Sequence, residues 1–329
     1  MVSVLIVTWN SARFLEQCFA SIDRQDYPDL EVIIVDNASS DETRSLLSAR
    51  SPAWQVLYND RNLGFAAAQN QAIQNARGEW LLCLNPDVML ASDFISQLVA
   101  AGNAHTQAGA VCGKLLRWDP DSVQPQTRTL DSTGIYFTRN MRHLDRGAEE
   151  TDAGQYERRQ WVFGATGAAA LFRCSFVEAA TVEGQFFDED FFSYREDADL
   201  AWRAQLMGWK CIYVPLAVAW HVRRVTPERR EKLPHEINWH SVKNRFLMRG
   251  KNASGWLCRQ LFWPVVWRDL MVAGYGLLRD WRMLSALVYP LKNLASIRRK
   301  RHIIQSRRRV SDHELLPWFS DTPHAEDLP

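Results

Sequence analysis

The chain has 329 residues, 47% of them hydrophobic and 23% charged. That balance excludes a disordered or fibrous protein and predicts one large domain with an extension, or two domains. Net charge is +1, so the molecule as a whole is not an electrostatic nucleic-acid binder. The average hides an asymmetry. Residues 243–309 carry sixteen Lys/Arg against Asp269 and Asp280, which makes that segment +14 and the remainder −13.

The chain opens on Val4-Leu5-Ile6-Val7 without a basic region before it, which argues against a signal peptide. The six cysteines show no zinc or redox spacing and read as small buried hydrophobes in a reducing cytoplasm. No uncharged apolar run reaches the ~18–20 residues of a spanning helix.

Val4–Val7, Val32–Val35, a run around Val56-Leu57, and Trp80–Leu84 read as strands covered on both faces. Between them lie helical patterns after Ser11 (Phe14, Leu15, Cys18, Phe19, Ile22) and after Gly64 (Ala67, Ala68, Ala72, Ile73). The alternation predicts an α/β fold with a doubly wound, mostly parallel sheet. Polar clusters follow three of the strands: Thr8-Trp9-Asn10, Asp36-Asn37-Ala38-Ser39-Ser40-Asp41 and Asn85-Pro86-Asp87. Ligands of open α/β sheets bind at that edge. Each cluster alone reads equally as turn and cap residues; the three together point to one site.

Neither a GxxxxGK[ST] loop nor a GxGxxG fingerprint is present, so a nucleotide here needs a metal or basic side chains for its phosphates. Ala110–Leu116, Gly134–Phe137 and Ala168–Phe172 are strand-like. Then comes the densest polar segment, Asp188-Glu189-Asp190 through Glu196-Asp197-Ala198-Asp199. A helix follows and stops at Gly208, and the strand Cys211–Val214 leads to His221.

The motifs Val7-Thr8-Trp9-Asn10, Val35-Asp36-Asn37-Ala38-Ser39-Ser40-Asp41, Asn62-Leu63-Gly64-Phe65, Leu84-Asn85-Pro86-Asp87, Phe191–Leu200 and His221, in that order and spacing, resemble family 2 glycosyltransferases of the GT-A fold. The likeness is to the rhamnosyltransferase branch that builds bacterial surface polysaccharides, and it covers residues 1 to about 250. It implies inverting transfer of a sugar, a deoxyhexose such as rhamnose, from a dTDP- or UDP-sugar donor to a lipid-linked saccharide. Thr8, Asn10, Asp36, Asn37, Asn62, Gly64 and Asn85 would contact the nucleotide. Asp87 matches the metal-binding Asp of the family's DxD motif, whose first Asp is here Asn85. An amide can hydrogen-bond a ribose but is a poor metal ligand beside a carboxylate. Asp87 with His221 would hold Mn²⁺ or Mg²⁺, the imidazole tilting the choice toward Mn²⁺; the alternative is a strand-end histidine making one hydrogen bond.

Asp197 matches the family's base, with Glu196 in support. Ser193-Tyr194-Arg195-Glu196 has the form of a capping box, which would make Glu196 a helix cap. Asp199 and Arg203 are spaced to pair on a helix surface, and Asp188, Glu189 and Asp190 read as a solvated loop. Gly164 and Gly167 match a small-residue segment beneath the donor sugar, with tight strand packing as the alternative. Lys243 lies where related chains place a basic residue near the diphosphate.

From Trp256 to Arg309 the pattern is apolar with interspersed arginines, divided by Pro264 and Pro290. Arg268, Asp269, Arg279, Asp280 and Arg282 share one arc of a helical wheel, most apolar residues lying outside it. With Trp256, Trp263, Trp267 and the basic clusters 298–301 and 307–309, this reads as amphipathic helices on an anionic membrane surface, a peripheral position on the inner face of the plasma membrane. The alternative packs their apolar faces on the catalytic domain or on a second subunit in a homodimer. The expected division is therefore a catalytic domain over 1–250, a basic helical extension over 251–310 and a flexible tail over 311–329. A non-catalytic, nucleotide-sugar-binding scaffold is the rival from another class.

Overall fold

The computed structural model describes residues 1–50, 53–119, 127–223 and 235–328. The first half alternates as the periodicities require: β1 (Val2–Thr8), α1 (Ala12–Asp23), β2 (Leu30–Asp36), α2 (Thr43–Ser48), β3 (Gln55–Tyr58), α3 (Phe65–Asn75) and β4 (Trp80–Leu84). Strands β3, β2, β1 and β4 pair in parallel, in that order. Val2, Val4 and Ile6 pack into one core cluster and Leu5 and Val7 into another, so β1 is buried on both sides. Burial on both faces is why the strand reads as a continuous apolar run.

Next come β5 (Val88–Leu90), α4 (Phe94–Ala104), β6 (Ala108–Arg117), β7 (Leu130–Ser132), β8 (Ile135–Phe137), β9 (His143–Asp145), β10 (Gln160–Val162), β11 (Ala169–Arg173), α5 (Cys174–Ala180), α6 (Glu196–Leu206) and β12 (Lys210–His221). Here the sheet is mixed. β11 is antiparallel to both β4 and β6, and β12 runs parallel to β6 along its length. Two short pairings bring distant polar residues together at one end of the sheet. β5 pairs with the end of β12, setting Val88 opposite His221, and β7 pairs with the end of β6. Gly208, at φ +80°, ends α6 as expected.

The C-terminal region comprises α7 (His235–Asn252), α8 (Gly255–Gln260), α9 (Phe262–Arg279), α10 (Leu284–Lys292), α11 (Leu294–Ser306) and α12 (Asp312–Leu315), then β13 (Glu326–Asp327). The basic cluster of 298–309 does not stand free, as the surface-helix reading had it. Lys300 is buried against Asp188 and Asp190, Arg299 pairs with Glu183, Arg301 donates to the carbonyls of Gly250 and Ala253, and Arg307 to those of Ala179 and Thr181. These cations satisfy carboxylates and helix-end carbonyls of the body. The expected flexible tail is likewise corrected. Phe319 packs on Phe137 and Trp202, Trp318 is buried, and β13 adds an edge strand to β10.

Helix α9 is turned opposite to an ordinary surface helix. Asp269 pairs with Arg249 of α7 at 2.6 Å and Asp280, just past the helix, pairs with His235 at 2.7 Å, so the two aspartates of its polar arc face the body while Arg279 and Arg282 stay exposed. Trp263 (77% exposed), Trp267, Leu270, Leu277 and Leu278 (85% exposed) face outward. No helix among the described residues is long and apolar enough to cross a membrane.

Candidate active site

The first two polar clusters after the strands interlock, and the third, Asn85-Pro86-Asp87, follows β4, the parallel neighbour of β1. Asp36, fully buried, accepts from Thr8 Oγ1 (3.2 Å), from the Ser39 N–H (3.2 Å) and from Arg44 Nε (2.7 Å). Asn10, at φ +50°, accepts the Ser40 N–H at 2.8 Å. Asn37 donates to Asn62 Oδ1 and to the Gly64 carbonyl, and its own Oδ1 accepts the Leu63 N–H at 2.9 Å. Thus Asn37 and Asn62 brace the 59–64 loop against the end of β2. Gly64 lies at φ +88°, and a Cβ there would sit 2.5 Å from the Phe192 ring. Both conformation and space require glycine. This contact brings the loop after β3 against the turn before α6.

Asp87 and His221 meet because β5 pairs with β12. Their side chains approach to 3.6 Å, His221 Nε2 to Asp87 Oδ1. The other ring nitrogen, Nδ1, lies 2.7 Å from Asp131 Oδ2. Burial opposes a charge on His221, but Asp131 and Asp87 outweigh it and hold the imidazole above its usual range. Sequence reasoning missed Asp131. It is buried on β7, and it is bridged through Arg223 to Asp145 on β9. A histidine fixed at one nitrogen by a carboxylate, with the other directed at a second carboxylate, is the arrangement that orients imidazole for a cation. No cluster of three His, Cys, Asp or Glu side chains that could hold a metal occurs among the described residues. The protein would therefore contribute two ligands, Asp87 and His221, and leave the rest of the coordination to phosphate oxygens and water, as suits Mg²⁺ or Mn²⁺.

The turn into α6 carries the second half of the site. Phe192, Tyr194 and Arg195 all have φ between +65° and +71°, a cluster of left-handed residues that persists only where its surroundings enforce it. The enforcement comes from α7. Asn244 Nδ2 lies within 2.7–3.0 Å of the carbonyls of Phe191, Ser193 and Tyr194, and Arg195 donates to the Ser241 carbonyl and hydroxyl. His240 stacks on Phe192. Lys243 belongs to this splint. Its Nζ donates to the Asp190 carbonyl at 2.6 Å, and burial pulls its ammonium down to about 8 despite Asp190 and Asp188.

The expected capping box is absent: the residue capping α6 is Arg195, in the left-handed conformation, and Glu196 is turned inward. Glu196 Oε2 is buried without a hydrogen-bond partner among the described residues. Burial and the adjacent Asp197 push its carboxyl well above the ordinary range. Asp197 is raised by burial too, but the N–H groups of Gly167 (3.0 Å) and Ala198 (2.7 Å) stabilise its ionised form. Asp197 is thus the N–H-anchored member of the pair, with Asp145 adding negative potential beside it. Gly167 positions Asp197 directly. Gly164 has the packing role instead, since a Cβ there would fall 2.2 Å from Ala201 Cβ on α6.

Two further expectations are overturned. Asp199 and Arg203 pair at 3.0 Å, but in the interior and not on a surface. Asp188 and Asp190 are not solvated: Lys251 and Lys300 bind Asp188, and Lys300 also binds Asp190.

Comparison with known proteins bears on the family and the fold. The Glycosyl transferase family 2 model matches residues 3–180. The N-acetylglucosaminyl-diphospho-decaprenol L-rhamnosyltransferase of Mycobacterium tuberculosis is 30% identical over 290 residues, 80% of this chain and 88% of that protein. Among solved structures, Staphylococcus aureus TarS 1–349 with UDP-GlcNAc superposes with a TM-score of 0.57 at 15% identity, covering 93% of this chain and 90% of that one. The mannosyltransferase PcManGT of Pyrobaculum calidifontis, in complex with GDP-Man and Mn²⁺, superposes with a TM-score of 0.51 at 22% identity, covering 90% of this chain and 75% of that one.

Proposed function

The chain belongs to glycosyl transferase family 2, and on that premise we propose that it transfers a sugar, with inversion, from a dTDP- or UDP-sugar to a polyprenyl-diphosphate-linked saccharide in cell-surface polysaccharide synthesis. A deoxyhexose such as rhamnose as donor sugar, and a diphosphate-linked lipid acceptor, are supported by the mycobacterial relative. The single observation that carries the reading is the buried Asp197 carboxylate at the start of α6, held by the N–H groups of Gly167 and Ala198 with Glu196 beside it. Asp197 takes the proton of the acceptor hydroxyl as its oxygen bonds to the anomeric carbon, while the bond from that carbon to the diphosphate breaks and the nucleoside diphosphate leaves. Thr8, Asn10, Asp36, Asn37, Asn62, Gly64 and Asn85 form the nucleotide side of the pocket. Asp87 and His221 would hold Mn²⁺ or Mg²⁺, the metal that also accompanies the nucleotide sugar in the mannosyltransferase being Mn²⁺. When bound, such a cation neutralises charge developing on the leaving diphosphate.

Thermal stabilisation by UDP, dTDP and GDP, each with and without Mn²⁺, tests the donor site. One nucleotide should raise Tm only with the metal. Stabilisation of about 2.7 kcal/mol corresponds to ligand at a hundredfold over Kd, and Asp87→Ala should abolish it. No shift with any nucleotide would sink the donor-site assignment.

The outward apolar face of α9 supports a peripheral position on an anionic membrane. The ion pairs of Asp269 and Asp280 with α7 hold the helix with its tryptophans and leucines exposed, and Arg279 and Arg282 are exposed beside them. Each such side chain gains about 1.5–3 kcal/mol on burial. Trp267→Glu with Leu278→Glu should therefore weaken co-sedimentation with phosphatidylglycerol vesicles by at least ~10²-fold. Unchanged sedimentation together with a dimer in solution would assign the face to a second subunit.

A further inference from the structure

Helices α7 and α9 meet in an arginine cluster that neither the nucleotide side nor the catalytic turn uses. Arg245 and Arg249, one turn apart on α7, both reach Asp269 of α9, at 3.6 Å and 2.6 Å, and Arg268 precedes that aspartate. Arg245 and Arg249 share that one carboxylate, and Arg268 adds its charge beside Arg245, which leaves two positive charges in excess. Hydrogen bonding is incomplete on both sides: Arg245 Nε, Arg249 Nη1 and Arg268 Nε, and also Asp269 Oδ1, are buried with no hydrogen-bond partner among the described residues, Arg245 Nε and Asp269 Oδ1 standing 3.6 Å apart. Arg249 Nη1 and Arg268 Nε remain as the unmet donors, and such donors in a native protein ask for an acceptor. Burial pulls the Arg245 guanidinium down to about 10, against the opposing pull of Asp269 and with help from Arg268, Arg249 and Arg142. The cluster is short of negative charge.

Its position says which anion fits. Ser241, Arg245 and Arg249 lie at successive i+4 positions along α7, and Ser241 is the residue that holds Arg195 at the start of α6. At 1.5 Å per residue, Arg245 is about 6 Å and Arg249 about 12 Å along the helix from Ser241. On the far side, Trp267 and Leu270, which flank Arg268-Asp269 in sequence, are among the outward apolar residues of α9. The order from the base outward is catalytic turn, arginines, apolar face. A lipid-linked acceptor presents sugar, diphosphate and hydrocarbon in that same order.

We propose that Arg245, Arg249 and Arg268 seat the diphosphate that joins the acceptor saccharide to its lipid. Guanidinium donors match phosphate oxygens in geometry, and one negative charge per phosphate cancels the excess. The inference rests on the reading that the acceptor is a lipid diphosphate, and it adds the residues that recognise it.

The probe is farnesyl diphosphate, titrated calorimetrically into the full-length protein already saturated with nucleotide and Mn²⁺, so that the donor site is occupied. Farnesol and phosphatidylglycerol vesicles are titrated in parallel. Arg249→Gln with Arg268→Gln should weaken farnesyl diphosphate binding at least ~30-fold, since bidentate guanidinium–phosphate contacts are charge-assisted, and leave nucleotide binding and farnesol binding unchanged. Arg249→Lys with Arg268→Lys should recover part of the loss while nucleotide affinity certifies the fold. Unchanged farnesyl diphosphate binding in the Gln variant overturns the proposal and leaves the acceptor reading intact. Failure of the wild type to bind farnesyl diphosphate overturns both. Loss of vesicle binding with farnesyl diphosphate binding retained assigns the arginines to phospholipid headgroups, and that also overturns it.

Discussion

Asp197→Asn is expected to lower the turnover number by about 10²–10⁴-fold, the range for loss of a positioned general base, while nucleotide affinity stays within about twofold. Asparagine keeps one oxygen that can accept the Gly167 N–H but turns its NH2 toward the Ala198 N–H, so the turn into α6 loses one of two anchoring hydrogen bonds and nucleotide affinity serves as the check on its shape. What is lost is the negative charge that accepts the proton. The pH profile separates this from a structural effect. Burial raises the Asp197 carboxyl, and a base must be ionised to act, so wild-type activity rises with pH through that elevated value and then levels off. In the Asn variant the residual activity should lose this limb. Nucleotide binding lost together with activity would make Asp197 structural; near-normal turnover would place the base elsewhere.

The nucleotide half of the fold was legible because its signals are local. β1, β2 and β4 are uninterrupted apolar runs, and the polar residues that end them sit where parallel strands place a ligand. Asp87, Asp197 and His221 stood out because each ends or begins an element. Their partners did not. Asp131 reaches His221 across ninety positions through the pairing of β7 with β6, which no periodicity announces. Asp188 and Asp190 read as solvated, as Glu189 between them is, because a run of like charges usually is; their counter-ions, Lys251 and Lys300, lie far downstream on α7 and α11. Lys243 and Gly164 went the same way, their place set by the packing of α7 and α6. For α9 the amphipathic pattern was plain, but which face turns inward was decided by Asp269 and Asp280 finding Arg249 and His235 on α7. The tail failed for lack of length: Trp318 and Phe319 are two aromatics in an acidic, Pro-containing stretch, and only the aromatic pocket of Phe137, Phe163 and Trp202 explains their burial.

The buried network around Asp188 has the second large expected effect. Lys300 Nζ donates to Asp188 Oδ1 at 2.6 Å and to Asp190 at 2.7 Å. Lys251 bridges Asp188 to Asp199, and Asp199 pairs with Arg203 and accepts from Asn252 at 2.8 Å. Three carboxylates thus balance three cations in the interior. Removing one member leaves an uncompensated buried charge, which costs about 3–5 kcal/mol. Asp188→Asn should accordingly lower Tm by something on the order of 10 °C, a large share of a total stability that is rarely above ~15 kcal/mol. The pH dependence has a definite sign. Burial would raise the Asp188 carboxyl, but Lys251 and Lys300 outweigh it and hold it far below the usual carboxylate range. A depressed carboxyl contributes stability that is complete above its unfolded value, about 3.9, and is lost as pH falls toward the folded one. The gap in Tm between wild type and Asp188→Asn should therefore be constant from pH 5 upward and close below about pH 4. The network also ties the turn before α6 to α7 and α11, so amide exchange over 188–195 should accelerate in the variant along with the loss of stability. An unchanged Tm would mean that desolvation of the three ion pairs cancels their attraction, and that the turn is held by Asn244 and Arg195 alone.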